Sequence, residues 1–196
     1  MSVPESLLFA DAKLIVHPDT PTAAVRRIAV GISWQPDAGT LALRYRLDGD
    51  AGRLALPGAA PSRRVDGLWH HTCFEAFVRP VGSDAYCEFN FSPSTEWAAY
   101  RFASPRCGML ALELATAPAI RCSRDRDRVD LDVTLAAGAW NGPIDLGLAA
   151  VTEDRDGSLA YWALLHPGGR PDFHHPASFA LRLDPALAAP AVGGGP

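Results

Sequence analysis

The sequence predicts an all-β fold: an antiparallel β-sandwich or jelly roll of about ten strands. Three observations carry that expectation. Apolar residues recur at period 2 in one short segment after another, the pattern of strands with one buried face. No segment carries the 3.6-residue apolar period of a four-turn amphipathic helix. The 196 residues include 17 Gly and 17 Pro, a surplus that turns between short strands absorb. No Gly-X-Y repeat accompanies the surplus, which excludes collagen. With 48% hydrophobic and 20% charged residues the chain is not wholly disordered, and its length suffices for one sizeable core.

The strands are read in order. Ile28, Val30, Ile32 and Trp34 alternate with small or polar residues, and Leu41, Leu43, Tyr45 and Leu47 repeat the pattern. Between these runs, Gln35-Pro36-Asp37-Ala38-Gly39 has the composition of a hairpin connection. Val129, Leu131, Val133 and Leu135 form another alternating run, with Asp130 and Asp132 facing outward. Leu146 to Ala150, Leu159 to Leu165 and Phe179 to Leu183 complete the set. Residues 1–184 are read as a single sandwich domain. The Ala-, Pro- and Gly-rich residues 185–196 are expected to form a disordered tail.

Charge and cysteine usage narrow the function classes. Lys and Arg number 18 against 22 Asp and Glu, so the net charge of -4 speaks against a nucleic-acid binder, which needs a basic footprint. The basic run Arg121 to Arg128 alternates with Asp125 and Asp127 and reads as a solvated turn. None of Cys73, Cys87, Cys107 and Cys122 forms a C-x-x-C, and all four are expected to be reduced, small buried residues. The N-terminal segment lacks a signal-peptide pattern, and no run approaches the ~18 apolar residues of a membrane span. A cytoplasmic address with no membrane partner is therefore expected.

The informative stretch runs from Leu68 to Phe102. If Leu68 to Val78 is a strand, Trp69, His71, Cys73, Glu75 and Phe77 share one side, and His70, Thr72, Phe74, Ala76 and Val78 face the core. In Tyr86 to Ser92, Glu88, Asn90 and Ser92 form a polar side against Cys87, Phe89 and Phe91. In Thr95 to Phe102, Ala98, Tyr100 and Phe102 are assigned to the core, leaving Trp97 and Arg101 on the opposite face. Three strands then direct Trp69, His71, Glu75, Glu88, Asn90, Ser92, Trp97 and Arg101 to one surface. Flat aromatics among carboxylates, an amide, a hydroxyl and a guanidinium match sugar recognition: apolar C–H faces stack on indole while hydroxyls meet planar donors and acceptors. The competing expectation is a solvated outer sheet face. A second cluster, Tyr161 to His175, carries His166 and His174 around the Gly- and Pro-rich loop Pro167 to Pro171.

These two stretches resemble the DOMON-like β-sandwich domains of bacteria, which are similar in architecture to family 9 carbohydrate-binding modules and DOMON cytochrome domains. The strings that carry the resemblance are WHHTCFEAF, YCEFNFSPSTEWAAYRF, RCGM, YWALLHP and PDFHH. The resemblance implies two ligand classes. A sugar held between aromatic side chains maps onto Trp69 and Trp97. A haem ligated by Met and His maps onto Met109, the only internal Met, with His70, His71 or another His.

The expected function is a non-catalytic binding module for a carbohydrate or other small polar ligand on a concave sheet face, without cofactor or metal. Its ligand-binding residues are Trp69, His71, Glu75, Glu88, Asn90, Ser92, Trp97, Arg101, His166 and His174. The alternatives are a haem-binding domain, a glycoside hydrolase using the carboxylates Glu75 and Glu88, and a protein-interaction module. A metal site from His71, Glu75 and His166 or His174 lacks the spacing of a known metal motif. Nucleotide fingerprints and G-x-S-x-G are absent.

Overall fold

Twelve strands among residues 8–136, 140 and 142–187, which the computed structural model describes, build an antiparallel β-sandwich. They are β1 (Leu8–Val16), β2 (Val25–Gln35), β3 (Thr40–Gly49), β4 (Cys73–Pro80), β5 (Tyr86–Phe91) and β6 (Trp97–Phe102). Then come β7 (Leu110–Ala111), β8 (Ala119–Arg124), β9 (Arg128–Ala136), β10 (Ile144–Glu153), β11 (Leu159–Ala163) and β12 (Leu181–Leu183). One sheet runs β1-β2-β3-β9-β8 and the other β7-β6-β5-β4-β10-β11, with β12 alongside β10. β1 belongs to both. Leu8 to Leu14 pair with β2, while Ile15 and Val16 pair with β11. The two layers are thus joined along one edge.

The turns are where the composition puts them. Gly39, at φ +59°, closes the β2–β3 hairpin by donating its N–H to the Pro36 carbonyl at 3.0 Å. Only a residue tolerant of positive φ fits that corner. The β8–β9 turn falls within the basic run, as expected, and Arg44 and Arg46 of β3 pair across strands with Asp132 and Asp130 of β9 at 2.6 and 3.1 Å. Such exposed pairs contribute ~1 kcal/mol or less each.

Period-2 alternation fills the space between the sheets. Ile28, Val30, Ile32, Trp34, Leu41, Leu43, Tyr45, Leu47, Val129, Leu131, Val133 and Leu135 face Phe74, Ala76, Val78, Phe89, Phe91, Leu146 and Leu148. Burial of each large apolar side chain stabilises the sandwich by ~1.5–3 kcal/mol.

A second apolar cluster lies on the other face of the β6-β5-β4-β10-β11 layer. It contains Phe77, Tyr86, Tyr100, Phe102 and Phe179, with Trp69 and Phe173 packed against it. The covering segments are the 3-10 turn Leu68–His70 and the loop between β11 and β12. β10 is therefore buried on both faces over nearly its whole length.

This double burial corrects the face assigned to β6. Tyr100 and Phe102 belong to the second cluster, and Trp97 points into the main core. The start of β4 is corrected too. Leu68–His70 is a 3-10 turn entered through Gly67 at φ +79°, and pairing begins only at Cys73. Of the cysteines, Cys73 is buried, Cys87 and Cys122 are half-buried and Cys107 is exposed. In the segment read as a tail, Pro185–Leu187 forms one 3-10 turn, and residues 188–196 lie outside the described residues. Among the described residues no helix is long and apolar enough to cross a membrane.

Candidate functional site

The β4–β5 register sets Glu75 opposite Asn90 and Phe77 opposite Glu88. Glu75 and Glu88 are therefore diagonal neighbours on one sheet face. It is the face covered by the second cluster, and both carboxyl groups are buried, at 3% and 5% exposure.

Three connections wall a cavity of about 420 Å³ above them, within the size range of small-molecule sites. The 3-10 turn brings Trp69 and His70, and the Trp69 ring meets Tyr100 edge-on at 5.8 Å. The connection after β6 presents Arg106 and Met109. The Gly- and Pro-rich loop leads into Phe173 and His174, and Tyr161 of β11 completes the wall. Arg106 adopts φ +57°, an uncommon left-handed conformation for a non-Gly residue.

Glu88 anchors a hydrogen-bond chain. Its Oε1 accepts from Asn90 Nδ2 at 2.7 Å, and its Oε2 lies 3.7 Å from His174 Nε2. His174 Nδ1 is 2.7 Å from the Tyr86 hydroxyl, which itself accepts from the Arg106 backbone N–H at 3.3 Å. With Tyr86 donating to Nδ1, the imidazole keeps its proton on Nε2, facing Glu88. Glu75 has no such support: its Oε1 is buried without a hydrogen-bond partner.

Burial dominates the electrostatics. It pushes Glu75 well above the usual carboxylate range, and the neighbouring Glu88 charge pushes further. Burial raises Glu88 to about 7, against the opposing pull of the Asn90 hydrogen bond and Arg106. Burial lowers His174 to about 4, with Arg106 adding to the effect. Near neutral pH the cavity thus holds a Glu75 biased by burial toward its protonated form, a Glu88 close to its midpoint and a neutral His174. This arrangement can donate and accept hydrogen bonds at adjacent points while offering an indole and a phenyl face.

Of the ten residues expected to bind ligand, the structure brings Trp69, Glu75, Glu88 and His174 to the cavity, with Asn90 buried behind Glu88. The others separate. Trp97 lies in the main core, because register places it opposite Phe91, and Arg101 is exposed on that same side of β6, opposite Cys87. His71 leaves the turn outward and pairs with Glu153 at 2.7 Å. Ser92 is buried in the β5–β6 turn, where its hydroxyl accepts from Ser94 at 2.8 Å. His166 donates to the Ile15 carbonyl at 2.9 Å and packs edge-on against His17. That leaves His71, Ser92, Trp97, Arg101 and His166 outside the cavity. A metal set containing His71 or His166 is not assembled, and among the described residues no cluster of three or more His, Cys, Asp or Glu is placed to hold a metal ion.

Several cavity residues escaped the sequence reading. Tyr86, which supports His174 from outside the cavity lining, shares the alternation of Glu88 and Asn90, so period alone places it on their face. Arg106 and Phe173 approach from a connection and a covering loop, for which strand alternation gives no signal, while Tyr161 projects from β11. Met109 and His70, which with His71 or another His are the residues offered for haem, both line the cavity.

No family model matches the sequence, and no curated protein matches it. Solved structures do. A candidate carbohydrate-binding protein from Bacteroides uniformis aligns over 87% of this chain and 83% of its own, at 14% identity and a TM-score of 0.55. A family 9 carbohydrate-binding module from Caldicellulosiruptor kristjanssonii in complex with cellotriose aligns over 87% and 80%, at 10% identity and a TM-score of 0.42. The same kind of module from that organism in complex with glucose aligns over 90% and 82%, at 10% identity and a TM-score of 0.41. The Bacteroides protein shares the β-sandwich fold.

Proposed function

We propose that the chain is a non-catalytic binding module of the DOMON-like kind, and that a small carbohydrate or similar polar ligand occupies the cavity between Trp69 and the buried carboxyls. One observation carries this reading: a cavity of about 420 Å³ places an aromatic wall beside two buried carboxyl groups, one with an unpartnered oxygen. A buried polar group without a partner costs ~1–3 kcal/mol, which a ligand hydroxyl or amine recovers on binding. The description of the Bacteroides protein as a candidate carbohydrate binder supports the choice of ligand class. The ligand site lies under the loop that follows β11 and does not use Trp97.

Titration with a panel of mono- and disaccharides, read by Trp fluorescence and calorimetry, tests the proposal. Saturable binding that Trp69→Ala weakens at least tenfold supports it. Absence of binding across the panel rejects it. A second reading, glycoside hydrolysis, draws on Glu75 and Glu88 facing one cavity from adjacent strands. It requires turnover of aryl glycosides that either Glu→Gln change abolishes.

A further inference from the structure

The charge balance of this cavity specifies its ligand more narrowly. Two carboxyl groups are buried on neighbouring strands, and buried carboxylates ordinarily come with a cation. Here none is supplied. Among the described residues, no Lys or Arg nitrogen lies within 4.0 Å of either group. The one basic contact is His174 Nε2, 3.7 Å from Glu88 Oε2, on a neutral ring. Arg106 sits on the rim with its guanidinium committed to Asp172 at 2.7 Å.

The walls of the cavity favour a cation as well. Trp69, Tyr161 and Phe173 line it, and aromatic faces attract ammonium groups, most strongly where water is excluded. Acid at the floor and aromatic rings at the sides are the two elements of amine recognition. A neutral sugar would use the rings but bring no cation to the acidic pair.

We infer that the ligand enters this cavity as an organic cation, a small molecule whose protonated primary amine reaches Glu75 and Glu88; among carbohydrates this is an amino sugar with a free amine. The inference rests on the binding reading above and names its ligand class. Seating the ammonium favours ionisation of one carboxyl of the pair, with the other keeping its proton, so binding expels a proton into solution. The titratable groups bearing on the pair are Tyr45, Cys73, Tyr86, Tyr100, His174 and Arg106. Burial holds His174 at about 4, so it stays unprotonated at the pH of the test.

Calorimetry at about pH 6.5, in two buffers of different ionisation heat, compares glucosamine, glucose, N-acetylglucosamine and cyclohexylamine on the full chain. Glucosamine is expected to bind at least tenfold tighter than glucose or its N-acetyl form, with a buffer-dependent heat that reports proton release. Glu75→Gln and Glu88→Gln are each expected to weaken glucosamine at least tenfold and to reduce the buffer dependence. Circular dichroism establishes that both variants are folded. Cyclohexylamine matching glucosamine keeps the cation and replaces the sugar as its carrier. Glucose or N-acetylglucosamine binding as tightly as glucosamine overturns the cation while leaving the binding module intact. Binding of none of the four overturns both.

Discussion

Replacing Glu88 by Gln is expected to change the pH dependence of stability by about 3 kcal/mol. The carboxyl is 5% exposed and burial raises it from an ordinary 4.5 to about 7. The folded state therefore keeps a proton that the unfolded chain releases above pH 4.5. That contribution is fully present below the unfolded value and is lost as pH rises to about 7. At ~1.4 kcal/mol for each tenfold change in proton affinity, the loss across this window is about 3 kcal/mol. His174 acts in the opposite sense. Held at about 4 instead of 6.5, it makes the folded state refuse a proton that the unfolded chain accepts, so its contribution falls as pH drops through this range. The two slopes oppose each other in the wild type. Glu88→Gln removes one and leaves the other. Urea denaturation of both proteins at about pH 4, 6 and 8 reads the difference. Relative to wild type, the variant is expected to gain about 3 kcal/mol between the lowest and highest pH. Parallel profiles, within ~0.5 kcal/mol, refute the raised proton affinity of the buried Glu88 on which the cavity's chemistry depends.

Three further changes test the placement of the site and the fold that holds it. Trp97→Ala is expected to cost ~3–5 kcal/mol in denaturation measurements, as for a large core aromatic, while Trp69→Ala costs ~1–2 kcal/mol and removes the ligand response. The reverse order would mean that Trp69 is the packing residue. Gly49→Ala places a Cβ 2.3 Å from the Ala24 carbonyl oxygen and 2.9 Å from Val25 Cα, both backbone atoms beside the irregular pairing between Val25 and Arg27. It is expected to cost about 3 kcal/mol, the upper part of the overpacking range, in the urea midpoint. An unchanged midpoint would mean that this corner opens freely.

The β-sandwich was legible because alternation reports on each strand separately. Ile28 to Trp34, Leu41 to Leu47 and Val129 to Leu135 each needed only one buried face, and each has one. β6 defeated the same rule for a physical reason. Alternation says which residues share a face, and the inner face was chosen by apolar content. In Trp97–Phe102 both sides are apolar enough to be core, since Trp97 and Ala99 meet one cluster and Ala98, Tyr100 and Phe102 the other. Only cross-strand register decides between them, and register depends on where the Ser92–Thr95 turn closes. Trp69 shows the complementary case. Extending β4 back to Leu68 gave it the same facing as Glu75, yet it reaches the cavity through a 3-10 turn that also sends His71 out to Glu153.

The loop after β11 explains why the site is a cavity and not an open sheet face. Burial on both sides of β10 requires a cover, and the chain from Leu164 to Phe179 supplies it, closed down by Phe179 against Phe77, Tyr86 and Arg79. Gly147 fits this approach: a Cβ there would stand 3.2 Å from the Ser178 carbonyl oxygen. The cover excludes water from Glu75 and Glu88, which raises both carboxyls, and it delivers His174 to Glu88. Recognition chemistry and loop packing are therefore one event. A variant that loosens the loop exposes the carboxyls, returns their proton affinity toward the ordinary range and removes the cost that a ligand would otherwise relieve.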